Sequence, residues 1–186
     1  MRPQKVNDAE LMAGLMAVFR TKGYEGTSLN DLAVATGLQK ASLYHRFPGG
    51  KKEIAEAVLA YAKAWIGKHV RQVLEDSQEL PAVRLVRALD NIRELYGNGK
   101  EICILRALSM DQGLSLFGQG VQQNMEEWIA GFYQLGLDLG LEPKAARESA
   151  EDTLIMVQGS LVVGKGIGDT SLFDRAIKHL GRLYLK

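Results

Sequence analysis

The side chains whose types and spacing could do chemistry are concentrated between positions 39 and 52 of the 186-residue chain. Gln39, Lys40, Ser42, Tyr44, His45 and Arg46 bring donors, acceptors and an aromatic ring into one short run, and Lys51 and Lys52 follow. At helical spacing Leu43 and Phe47 share an inner face, which turns Lys40, Ser42, Tyr44, His45 and Arg46 largely outward. From Leu32 to Lys52 there is no acid, while Lys40, Arg46, Lys51 and Lys52 carry four positive charges. An ordinary helical hairpin is the alternative reading, but a merely solvated face usually blends Glu with Lys. The chemistry this run suits is non-covalent: holding phosphates and reading base edges.

Such a face needs elements to hold it. Ser28 begins a first short helix, and with Asp31 three residues on it forms a capping box. Leu29, Leu32 and Ala33 make the inner side of that helix. Gly37 supplies a tight turn, because only a residue without a side chain takes positive φ at no steric cost. The second helix covers about Gln39 to Phe47, and Leu38 and Leu43 plug the angle between the two. This is a helix-turn-helix plan, in which the second helix enters the major groove. Two short helices make no core alone. An earlier helix, capped by Asn7 and closed by Gly23, offers Leu11, Leu15, Val18 and Phe19 as the missing side.

Pro48-Gly49-Gly50 ends the second helix. A long helix starts at Lys51 and runs to about Asp76 with Ile54, Val58, Tyr61, Ala62 and Trp65 inside; it is a possible lever into the rest of the chain. Pro81 opens a helix to about Tyr96. A short apolar segment covers Ile102 to Met110. Leu114, Phe117, Val121, Met125, Trp128, Phe132, Leu135 and Leu139 then step by three or four, ending at Gly140. Pro143 begins a helix to about Val163 whose second half, LIMVQGSLVV, is apolar nearly all round. One side is expected to meet its own core and the other a second subunit, with Gly159 and Ser160 allowing close approach. A Gly-rich loop and a Ser171/Asp174 cap precede the last helix, whose stripe is Phe173, Ile177, Leu180 and Tyr184. The expectation is an all-α chain of about nine helices, with residues 1–50 as one domain and 51–186 as a second.

Composition narrows the function classes. Net charge is only +1, with eight Lys/Arg against six Asp/Glu in residues 1–60, so the basic patch is local. The one cysteine, Cys103, permits no internal disulfide and sits between Ile102 and Ile104 like an inert buried thiol. His45, His69 and His179 form no metal-spaced pair, and no G-x-S-x-G elbow occurs, so no metal, cofactor or catalytic residue is expected. Gly164-Lys165-Gly166-Ile167-Gly168 lacks the preceding strand and the G-K-[ST] ending of a phosphate loop. The longest nearly apolar run, Leu154 to Val163, is about half of a membrane span, and no signal segment follows the N-terminal charges. A cytoplasmic protein is expected.

Four motifs carry a family resemblance: F-x-x-x-G-Y from Phe19 to Tyr24, G-T-S-L-N-D-L-A from Gly26, A-T-G-L from Ala35, and A-S-L-Y-H-R-F from Ala41 to Phe47 with lysine soon after. The chain resembles the TetR (tetracycline-repressor) family of bacterial transcription regulators. The resemblance rests on about 40 N-terminal residues and extends to the remainder only in plan. It implies a homodimer on palindromic double-stranded operator DNA, released by a small-molecule inducer, and a repressor by family habit. Ser28 would contact a phosphate at a helix N-terminus and Asn30 the groove edge. Gln39, Lys40, Ser42 and His45 would meet base edges; Tyr44 would clamp a phosphate and Lys51 neutralise another, with Lys52 the second choice. Trp65, Met110, Phe117, Trp128, Phe132 and Met156 would line a mainly apolar inducer pocket. Leu154, Val157, Gly159, Leu161, Phe173, Ile177 and Leu180 would form the dimer contact. Two departures stand out: Gln39 replaces the frequent serine at the start of the second helix, and F-P-G-G-K is one residue longer than the common F-x-x-K. The competing readings are a helical enzyme, a helical adaptor that binds no DNA, and an activator of the same fold.

Overall fold

The computed structural model describes residues 7–185, and among these every regular element is helical, in nine rods and one 3-10 turn, Gly97–Gly99. α1 is Asp8–Lys22, α2 Leu29–Thr36 and α3 Lys40–Arg46. α4 is Gly50–Ile66 and continues through a π turn, Gly67–Arg71, and a last α turn, Gln72–Leu74. α5 is Pro81–Leu95, α6 Ile104–Ala107, α7 Gly113–Asp138, α8 Pro143–Ile167 and α9 Ser171–Tyr184. Compactness divides the chain into two units. The first holds the described residues up to Ala62 together with Ile104–Val121; the second holds Lys63–Cys103 and the described residues from Gln122 on.

In the first unit, local chemistry sets the helix ends. The Asn7 side chain accepts the Ala9 N–H at 3.0 Å and so caps α1. Gly37 closes α2 at φ 66°, ψ 13°, the left-handed turn expected of it. Gln39 leads into α3 with no side-chain cap bond. The lengthened link ends in a positive-φ glycine, Gly50, at φ 67°. Gly50 N–H donates to the Phe47 carbonyl at 2.9 Å, and Gly49 N–H to the Glu53 carboxylate at 2.6 Å. The extra residue is thus absorbed in a closed turn at the head of α4. Leu11, Leu15 and Phe19 of α1 pack with Leu32, Leu43, Ile54 and Val58 as a buried core. Met16 joins them, while Val18, expected inside, is only half-buried.

The second unit is built around Trp128, Phe132, Phe173, Ile177 and Leu180, all fully buried. Tyr184 is buried beside them and shares a 3.1 Å hydrogen bond with Thr153; burial pushes its phenol up to about 12. Arg84, 3% exposed, donates to the Leu74 carbonyl at 2.6 Å and pairs with Asp138 at 2.7 Å. That pairing is what lets a cation sit in a core. In the π turn, the His69 carbonyl accepts the Asn91 amide at 2.6 Å.

Two local expectations are corrected. The Gly164–Ile167 segment is helical, not a loop, and α8 stops only at Gly168. A Cβ at Gly164 would lie 2.8 Å from the Asp169 carbonyl oxygen, so glycine lets the next turn close against the helix end. Ser171 is the first residue of α9 and does not cap it. Its N–H instead donates to Asp169 at 2.9 Å, and Asp174 pairs with Lys178 at 2.6 Å.

Candidate nucleic-acid interface

The α2–α3 pair is fixed from both ends. Asp31 N–H donates to the Ser28 hydroxyl at 3.2 Å, while the Ser28 N–H and hydroxyl donate to the Asp31 carboxylate at 2.9 and 2.7 Å. The capping box is complete. Lys22 reaches the other Asp31 oxygen at 2.5 Å. That lysine bond, followed by the Ser28 bonds, holds the Asp31 carboxyl well below the usual carboxylate range. Both Ser28 donors are therefore engaged within the protein, although Ser28 and Asn30 stand exposed at the helix start.

On α3, Leu43 is fully buried and Phe47 is 8% exposed. They pin the helix, and Gln39, Lys40, Ser42, Tyr44, His45 and Arg46 all stand exposed. Tyr44 is half exposed, so its ring is not core; a Cβ at Gly50 would approach it to 3.7 Å. Arg46 is turned back onto Asp8, at 2.6 Å, across to the start of α1. The two lysines differ. Lys51 is half-buried; its ammonium donates to the Tyr24 carbonyl at 2.9 Å and lies 4.3 Å over the Tyr24 ring. Lys52 is exposed and only loosely paired with Glu56, at 3.7 Å. Tyr24 itself packs edge-on to Phe117 at 4.9 Å, and burial, followed by the Glu25 and Glu56 charges, raises its phenol above the ordinary value. Neither Tyr24 nor Asp8 drew a role from the sequence; the F-x-x-x-G-Y motif was the one available signal.

The residues expected to line a pocket fall in both units. Phe117 is core of the first unit, and Met110, in the same unit, is 52% exposed. In the second unit Trp128 and Phe132 stack in the core at 6.4 Å, and Trp65 stacks on His69 at 4.6 Å. Met156 borders a separate open groove of about 440 Å³ with Gly159, Val163, Leu172, Ala176 and His179. Of the residues expected at a dimer contact, Leu154, Val157, Leu161, Phe173, Ile177 and Leu180 are taken up by the chain's own core, and Gly159 alone is exposed. The apolar side chains left exposed on α8 are Ile155, Val162, Val163 and Ile167. An all-round apolar helix has two usable faces, and the stripe in step with its neighbours faces inward. Cys103 is buried, 3.5 Å from the Tyr96 hydroxyl. Among the described residues no group of His, Cys, Asp and Glu could hold a metal ion, and no helix is long and apolar enough to cross a membrane.

Residues 11–58 match the family model described as bacterial regulatory proteins, tetR family. The chain is 34% identical over 152 residues to the uncharacterized HTH-type transcriptional regulator YxaF of Bacillus subtilis, covering 78% of each chain. In fold it is similar to a TetR transcriptional regulator from Legionella pneumophila, with a TM-score of 0.83, 19% identity and coverage of 96% and 98%. It also superposes on a cysteine-substituted CifR, a TetR family regulator complexed with 26-bp operator DNA, with a TM-score of 0.72, 20% identity and coverage of 99% and 98%.

Proposed function

Because the chain belongs to the TetR family of bacterial regulatory proteins, transcriptional regulators rather than enzymes, we propose that it is a cytoplasmic homodimeric repressor released from DNA by a small apolar ligand. The observation that carries the reading is the exposed polar face of α3, anchored from behind by buried Leu43 and Phe47. Residues 1–50 act as the DNA reader and 51–186 as the ligand-binding and dimerisation part. Gln39, Lys40, Ser42 and His45 meet base edges in the major groove, glutamine suiting adenine and lysine guanine. Asn30 reaches the groove edge, and Tyr44 and one lysine at the head of α4 contact phosphates.

One recognition helix binds weakly. A two-fold dimer doubles its contacts and fits a palindromic operator. Ile155, Gly159, Val162, Val163 and Ile167 on α8, with the Leu172–Ala176–His179 side of α9, are the surface for the second copy. On that surface a ridge and a groove lie on the same helices, as a self-complementary contact needs. The residues first expected there support this surface from beneath. Ligand release requires the ligand to prefer a dimer whose recognition helices are wrongly spaced, and repression follows from excluding RNA polymerase at the promoter.

Band-shift titration on the DNA upstream of its own gene, over several salt concentrations, tests the reading. Saturable, sequence-selective binding that weakens with salt is expected; equal binding to scrambled DNA would contradict it.

A further inference from the structure

The two lysines at the head of α4 sit side by side in sequence and do different things in space. Lys51 is half-buried, its ammonium bonded to the Tyr24 carbonyl at 2.9 Å and seated 4.3 Å over the Tyr24 ring. The ring is itself wedged against Phe117 at 4.9 Å. Tyr24 lies just beyond the Gly23 end of α1, so this contact ties the first turn of α4 to the exit of α1. Between those two points lie α2 and α3. Lys52 points elsewhere: its side chain is 55% exposed, and among the described residues it pairs with Glu56 at 3.7 Å. A loose exposed i,i+4 pair is easily exchanged for another anion.

We propose that Lys51 is a positioning residue that fixes α4 against the α1 exit through Tyr24, and that Lys52 supplies the phosphate contact at this corner of the DNA interface. The inference rests on the DNA-binding reading above for Lys52, but not for the Lys51–Tyr24 contact. A lysine over an aromatic face with a carbonyl bond has two of its directions filled and part of its hydration replaced. Moving it to a phosphate would undo the contact that holds the reader in shape. Lys52 has no such commitment. It positions the protein on DNA without carrying sequence information.

Two measurements on the full chain separate the roles. The first needs no DNA. Thermal unfolding of Lys51→Met, Tyr24→Leu and the double variant forms a mutant cycle. The double variant is expected to lose less than the sum of the single losses, Lys51→Arg to recover most of the Lys51→Met loss, and Lys52→Gln to change nothing. Additive losses would overturn the Lys51–Tyr24 assignment. The second uses a duplex selected from a random-sequence pool by the wild-type protein. Lys52→Gln is expected to lower the slope of log K against log salt by about one per subunit, weakening selected and scrambled duplexes alike. Lys51→Met is expected to keep the slope and to reduce the ratio of selected to scrambled binding, as a displaced recognition helix would. A slope loss in Lys51→Met equal to that of Lys52→Gln would make Lys51 the phosphate contact and overturn the proposal. If the wild-type protein selects no duplex, the proposed function and the Lys52 role fall together, while the unfolding cycle still decides Lys51.

Discussion

The α3 surface in the first unit and the α8 surface in the second are both held from behind by buried leucines and aromatics, yet they present opposite chemistry. On α3 the outward residues are Gln39, Lys40, Ser42, Tyr44 and His45, with buried Leu43 behind them. On α8 they are Ile155, Gly159, Val162, Val163 and Ile167, with buried Leu154, Val157 and Leu161 behind. A hydrated polyanion is met best by groups that already hold water and charge. A second copy of the same chain is met best by surface that gains from leaving water. The inner stripe reports the fold, whereas the outer stripe reports the partner.

Removing the inner stripe of the reader is expected to have the largest effect. Leu43→Ala leaves a cavity between α2 and α3 and is expected to cost about 2–5 kcal/mol in the first unit, abolishing DNA binding. The dimer, followed by sedimentation, is expected to survive. Next comes the outer stripe of the second unit. Ile155→Glu is expected to raise the dimer dissociation constant on the order of a hundredfold, about 2.8 kcal/mol, with helix content by circular dichroism unchanged. An Ile155→Glu protein that stays dimeric would remove α8 from the interface. On the outer stripe of the reader, Tyr44→Ala is expected to abolish selective operator binding in band shifts and to leave a dimer; a monomeric variant would give Tyr44 a structural role instead.

Smaller effects come with pH, and the two units are expected to fail at opposite ends. Asp31 titrates below the ordinary carboxylate range because Lys22 and Ser28 stabilise its charge. Its contribution is present above the unfolded value of about 4 and is lost as pH falls below it. Asp31→Asn is expected to remove that part of the acid sensitivity of melting. Tyr184 is raised to about 12 by burial. Its contribution is full below the unfolded value of about 10 and is lost as pH rises toward the folded one. Tyr184→Phe is expected to flatten the alkaline limb of the melting profile.

Local features were legible in the sequence because their causes are local. The Ser28–Asp31 box, the Gly37 turn, the Asn7 cap and the inward pair Leu43 and Phe47 each depend on residues within four positions. Features set at a distance were not. Lys51 finds its partner 27 residues earlier, and Arg46 finds Asp8 38 residues earlier. No helical period indicates that Ile104–Val121 packs with the first unit. On α8 apolar residues lie all round, so periodicity left undecided which side was core, and the outer stripe became apparent only once Phe173, Ile177 and Leu180 were seen beneath it. The Gly164–Ile167 segment was unreadable for another reason: glycine lowers helix propensity, by about 1 kcal/mol relative to alanine, yet tertiary closure at Asp169 selects it.

The α3 face is proposed to read sequence. Its most direct test is fluorescence anisotropy of the wild-type protein on its own upstream promoter duplex and on a scrambled duplex of equal composition, across a salt series. Saturable binding to the promoter, on the order of a thousandfold tighter than to the scramble, is expected, with a negative salt slope on both. Equal affinity for the two duplexes at every salt concentration would contradict it.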